Sequence, residues 1–252
     1  MESENNRANP GESVKTLARI PDVNQRGYAL AERLRDMENI QALEVLKAIL
    51  DKAVRGDEDS RRLYYGLLTG NLLEVLGPRR MSELVELAQE EQVFELVPVL
   101  IDIPAEGTAD IPHQPFLDGG LKETPLGIRK ALARKPDFKM IERIARDQDH
   151  RVIRSLLDNP RLTERDVARI AATRPTSPKV LEAIYEHRRW ITRHTIKKII
   201  ILNPYSPVSM SLRLLAFMQV QDLHEIVGAN ELDSVLRDQA RSMIRLKMPG
   251  SE

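Results

Sequence analysis

The chain has 252 residues, of which 42% are apolar and 30% charged, and its 38 Lys+Arg balance 38 Asp+Glu to a formal net charge of zero. That composition lies outside the range of disordered chains. The absence of cysteine excludes disulfides, Cys-ligated zinc or iron–sulfur centres and thiol nucleophiles.

The longest apolar run is Leu96 to Ile101, and it contains Pro98. A membrane-spanning helix needs roughly 20 apolar residues, so no membrane span is expected. The polar N-terminal stretch carries no secretory h-region, and a cytoplasmic location is expected. Aromatic residues are only 4%, and β-branched residues rarely alternate with polar ones. The expected fold class is all-α.

The zero net charge hides a division. Residues 1–121 hold 13 Lys+Arg and 22 Asp+Glu, a balance of −9; residues 122–200 hold 20 and 10, a balance of +10; residues 201–252 hold 5 and 6. An anionic partner for the middle segment is one reading. The other is that acidic and basic segments face each other or are simply solvated.

Residues 1–13 contain almost nothing to bury, so a disordered tail is expected there. Residues 14–101 read as an irregular N-terminal bundle of four or five helices. The clearest runs from Asn39 to Arg55, with Ile40, Leu43, Leu46, Ala48, Ile49, Leu50 and Ala53 on one face. Gly56 suits its left-handed C-cap, and Asp57, Glu58 and Asp59 suit the positive end of the next helix. That helix carries Leu63, Tyr64, Leu67, Leu68, Leu72, Leu73 and Leu76 and stops at Gly77-Pro78. Another spans about Met81 to Glu90. Gly66 and Gly70 indicate close helix packing. In residues 102–121, Pro104, Gly107, Pro112, Pro115, Gly119 and Gly120 destroy any helical period, which marks a loop or linker and a domain boundary.

From 122 to 248 the punctuation repeats. Thr124-Pro125, Ser177-Pro178 and Ser206-Pro207 each read as a hydroxyl N-cap followed by proline at the first helical position. Thr163 with Asp166 reads as a capping box, and Leu162 can staple onto Val167. Before most of these starts stands a second element. Val152-Ile153-Arg154-Ser155-Leu156-Leu157-Asp158-Asn159-Pro160 is echoed by Ile196-Lys197-Lys198-Ile199-Ile200-Ile201-Leu202-Asn203-Pro204 and, more weakly, by Ile128 to Pro136. From Pro136 to Pro175 is 39 residues and from Pro160 to Pro204 is 44, and degenerate self-similarity at such periods is the signature of a helical repeat array.

Carried by the Val/Ile-Arg/Lys helices, the Asn-Pro turns and the Ser/Thr-Pro starts, segment 122–246 resembles the HEAT-like and leucine-rich-repeat-variant class of bacterial α-helical repeats. The resemblance covers about half of the chain. It implies an α-solenoid preceded by the irregular bundle, whose ends are covered by that bundle and by a helix from about Glu231 to Leu246. Some members of the variant class carry a cysteine-ligated iron–sulfur cluster, for which this chain lacks ligands.

No nucleotide-binding glycine loop, nucleophile elbow or His-x-x-x-His pair is present. His113, beside Asp110 and Asp118, reads as a loop histidine. No catalytic residue, cofactor or metal is expected. The most informative stretch is His187 to Leu202. At 100° per residue, Ile191, Thr195, Ile196, Ile199, Ile200 and Leu202 gather on one side; Arg193, His194, Lys197 and Lys198 gather on the other with Trp190, the sole tryptophan. Such a face can anchor a protein partner or hold phosphates and stack on a base; alternatively, Trp190 packs against an adjacent helix. Arg129, Lys130, Arg154, Lys197 and Lys198 follow β-branched residues at corresponding positions, and stacking would align them into a ladder.

The expected function is a non-enzymatic protein-binding scaffold or adaptor. The alternative is a nucleic-acid-binding protein using the ladder. Candidate partner-binding residues are Trp190, Arg193, His194, Lys197, Lys198, Arg154, Arg129 and Lys130.

Overall fold

A chain rich in Leu, Ile and Ala with few aromatics has the side chains to fill grooves between helices, and helices are what it forms. The computed structural model describes residues 16–69, 72–101, 121, 123–135 and 137–248. Among these residues every regular element is helical and there is no strand. No helix among them is long and apolar enough to cross a membrane. The tail 1–13, Gly70 and all of 102–121 except Leu121 lie outside the described residues. The chain divides into two units. One runs to Ile103 and takes in Leu215–Val220 and the chain from Gln239; the other comprises Pro104–Leu214 and Gln221–Asp238.

The first unit contains α1 (Val23–Arg35), α2 (Asn39–Val54), α3 (Glu58–Thr69), α4 (Leu72–Leu76), α5 (Pro78–Glu90) and α6 (Val97–Leu100). Asp22 caps α1 by accepting from the amides of Asn24 and Gln25. Ala42, Leu43, Leu46, Ile49, Leu50, Ala53 and Val54 form the buried face of α2. Ile40 and Ala48, expected on that face, are exposed. Gly56 adopts φ +102, the left-handed conformation expected beyond a helix C-cap. Asp57 accepts from both the amide and the hydroxyl of Ser60 and so starts α3. Where one helix was expected through Leu76, there are two. Gly70 and Asn71, between them in sequence, lie outside the described residues. α5 begins at Pro78, with Gly77 at φ +77 before it.

Gly66 on α3 meets α1 at Gly27. A Cβ built at Gly66 would lie 3.0 Å from the Gly27 nitrogen and 3.2 Å from its Cα. Only hydrogen fits there, which is the close helix packing expected at Gly66.

The second unit contains α7 (Leu126–Ala133), α8 (Phe138–Ile144), α9 (His150–Leu157), α10 (Glu164–Ala172), α11 (Pro178–Glu186), α12 (Arg188–Ile191), α13 (His194–Leu202), α14 (Val208–Leu214) and α15 (Val220–Gly228). The final helix, α16 (Ser234–Lys247), passes from this unit into the first.

The expected caps divide. Thr163 and Asp166 form the full capping box, and Leu162 and Val167 are both buried. Ser177 stands at the N-cap before Pro178 but makes no side-chain cap bond. At α7 the N-cap position falls on Pro125, again without a side-chain cap. Ser206 is no acceptor for a helix start. Its hydroxyl donates 2.6 Å to the carbonyl of Ile200, in the last turn of α13. A hydroxyl is donor as well as acceptor, and a buried orphan carbonyl costs more than an amide left to water.

That last contact belongs to a wider pattern. Asn159 Nδ2 donates to the carbonyls of Ala133 and Lys135 at the end of α7, at 2.7 and 2.9 Å. Asn203 Nδ2 donates to Ala171 and Thr173 at the end of α10, at 2.8 and 3.1 Å. In each, Oδ1 accepts from the amide two residues on, Arg161 or Tyr205, at 3.0 Å. Both asparagines are buried. The Asn-Pro turns therefore close the end of an earlier helix and form their own turn with one side chain.

Candidate functional site

The stretch from Arg188 to Leu202 is two helices with a break, and this break decides where its side chains go. α12 ends at Ile191, Arg193 takes an extended conformation as N-cap, and α13 begins at His194. A phase of 100° per residue cannot be carried across such an interruption.

Trp190 is accordingly not on the basic face. It is 2% exposed, and its indole Nε1 donates 2.9 Å to the carbonyl of Leu157. The Arg189 guanidinium covers its ring at 4.2 Å from the centroid. The sole tryptophan is a core residue that closes α9, so the stacking role is withdrawn. Ile201, not placed on the apolar side, is buried with Ile196 and Ile200, whereas Thr195 is exposed.

The basic residues are where a surface set would be, with one exception. Arg129 has only 14% of its side chain exposed and pairs at 2.5 Å with Asp147, whose side chain is 1% exposed. Asp147 also accepts from the amide of Asp149. Burial pushes the Asp147 carboxyl above its usual range, opposed by those hydrogen bonds and the nearby guanidinium. Arg129 is therefore an internal tie between α7 and the turn before α9, and not an open rung of a ladder.

The others are paired at the surface. Arg154 on α9 bonds Glu186 at the end of α11. Arg193 lies 3.8 Å from Glu164 at the start of α10. His194 Nε2 stands 2.8 Å from Asp222 on α15. Lys198 stands 2.8 Å from Asp222 and 2.7 Å from Glu225. Hydrogen bonds to these two carboxylates raise the Lys198 pKa above its ordinary value. Lys197 donates to the carbonyl of Thr192. Lys130 is half-buried on α7.

Each of these ion pairs joins groups distant in sequence, with Asp147 between α8 and α9 and Arg193 at the N-cap of α13. Local periodicity places the basic partner on a face but is silent about the acid, which lies 18 to 32 residues away for Arg129–Asp147 and Arg154–Glu186. Glu164, Glu186, Asp222 and Glu225 therefore escape a reading of the sequence.

Among the described residues no group of three or more acidic or histidine side chains could hold a metal ion. His187 reaches Asp158 at 3.2 Å, and His194 reaches Asp222, which also takes Lys198 at 2.8 Å. No protein-family model, curated protein or solved structure matches the chain.

Proposed function

We propose that the second unit is a HEAT-like or leucine-rich-repeat-variant array, and that the protein is a non-enzymatic binding scaffold for protein partners. The identical bonding of Asn159 and Asn203 supports the repeat reading, because one device at corresponding positions is what duplicated helical units would share. A chain without cysteine suits a reducing compartment such as the cytoplasm.

The observation that carries the function is the pairing of the basic face. Arg154, Arg193, His194 and Lys198 each stand against a carboxylate from another helix. A surface of alternating, locally compensated charge discriminates among protein partners by electrostatic complementarity. A nucleic-acid track needs the opposite, a run of uncompensated cations that displaces counterions from phosphates. The excess of +10 over residues 122–200 keeps nucleic-acid binding as the second reading.

The test is capture of partners by the full chain from nuclease-treated lysate, followed by fluorescence anisotropy with single- and double-stranded oligonucleotides near physiological salt. Protein partners retained after nuclease treatment, with oligonucleotide binding no tighter than the ~10⁻⁴–10⁻⁶ M of non-specific contacts, is the expected result. Tight oligonucleotide binding that weakens steeply with salt would overturn it.

A further inference from the structure

Between α8 and α10 lies a groove of about 320 Å³, at the lower end of the size range of ligand sites. Three arginines line it, Arg146, Arg169 and Arg174, with a single acidic residue, Glu142. Ala145 and Pro175 supply apolar wall. No motif in the sequence marks these arginines.

Their situations differ. Arg169 is held by Asp166 at 2.8 Å and lies 3.7 Å from Glu142. Arg174 donates to the carbonyl of Leu202 at 2.5 Å and lies 3.4 Å from Glu231. Both are thus oriented by the fold, and each guanidinium, with five donors, has donors left over. Arg146 is exposed, and no hydrogen bond or ion pair engages its side chain among the described residues. The groove therefore offers one uncompensated cation, Arg146, with two positioned ones in the same lining.

We propose that this groove receives the carboxylate side chain of an acidic peptide segment of a partner protein, an inference that rests on the protein-binding reading above. Guanidinium groups match a carboxylate through two parallel hydrogen bonds. A monoanion fits better than a phosphate dianion, because Glu142, Asp166 and Glu231 already engage Arg169 and Arg174 and leave only Arg146 for an incoming anion. The walls of Ala145 and Pro175 suit the aliphatic stem of Glu and its neighbours.

The experiment is fluorescence anisotropy of the full chain with a short fluorescein-labelled peptide alternating Glu and Pro, its Gln counterpart, and inorganic phosphate as competitor. The Glu peptide should bind and the Gln peptide should not. Arg146→Gln should weaken binding roughly fivefold, the upper worth of one exposed charge pair. Arg146→Lys should recover part of the loss, having the charge without the planar fork. The thermal midpoint of both variants should equal that of the wild type, because Arg146 holds nothing in the fold.

Unchanged binding in Arg146→Gln, with loss in Lys130→Gln, would overturn the groove and leave the protein-binding reading standing. Displacement by equimolar phosphate would also overturn it, in favour of a phosphate site. Failure of the wild type to bind either peptide, together with tight oligonucleotide binding, would overturn both readings.

Discussion

The indole of Trp190 and the carbonyl of Leu157 are joined by a buried hydrogen bond of 2.9 Å across 33 positions of sequence. The last carbonyls of a helix have no partner within it. Leu157 ends α9, and Trp190 supplies both the missing donor and the apolar body that keeps water away.

Two substitutions separate these contributions. Trp190→Phe keeps most of the apolar body and leaves the Leu157 carbonyl unsatisfied, at a cost of about 1–3 kcal/mol. Trp190→Ala adds a cavity, and the total reaches about 3–5 kcal/mol. Urea unfolding curves are the measurement. A cost near zero for both would return Trp190 to the surface.

Asn159→Ala and Asn203→Ala should destabilise alike, by roughly 1–3 kcal/mol each, because each strands two helix-end carbonyls and opens one turn. Ser or Asp at either position should not restore the wild type, since neither keeps an amide-type side chain with donor and acceptor placed as here. Thermal midpoints of the variants decide it. A harmless change at one site and a severe one at the other would break their equivalence.

Gly66→Ala should destabilise by about 1–3 kcal/mol, because the obstructing atoms are the backbone of Gly27 and cannot swing aside. Gly127→Ala, on the open side of α7 with nothing within 4 Å, should stabilise by about 0.4–1 kcal/mol. The pair is a signed test by calorimetry. Equal signs would contradict the close approach of α1 and α3.

Asp149 caps α9 through the amide of Arg151 and also bonds its guanidinium, at 2.8 and 3.0 Å. The Arg151 side chain is the main cause that lowers the Asp149 pKa to about 2. A depressed carboxylate stabilises the fold fully above its unfolded pKa of about 3.9, and this is lost as pH falls through the folded value. Asp149→Asn retains a capping side chain and removes the charge. Wild type should exceed this variant in thermal midpoint at neutral pH. The gap should narrow between about pH 4 and 2. A gap independent of pH would exclude the ion pair as its source.

By itself the sequence determined the elements whose causes are local. Helical period and composition decided the all-α class. Thr163 and Asp166, three positions apart, made their capping box without outside help, and Gly56 took its left-handed turn. Tertiary structure decided everything that depends on a partner distant in sequence. Ser206 could have capped a helix; a buried carbonyl at Ile200 turned its hydroxyl inward. Trp190 had a polar neighbourhood in sequence, but the break at Thr192 and Arg193 changed the helix phase and the carbonyl of Leu157 drew it into the core. The basic residues announced a charged face, and only folding brought Glu186, Glu164, Asp222 and Glu225 against it. Periodicity specifies which side of a helix a residue occupies. The counter-charge, the orphan carbonyl and the neighbouring backbone that settle its role come from other helices, and no local spacing encodes them.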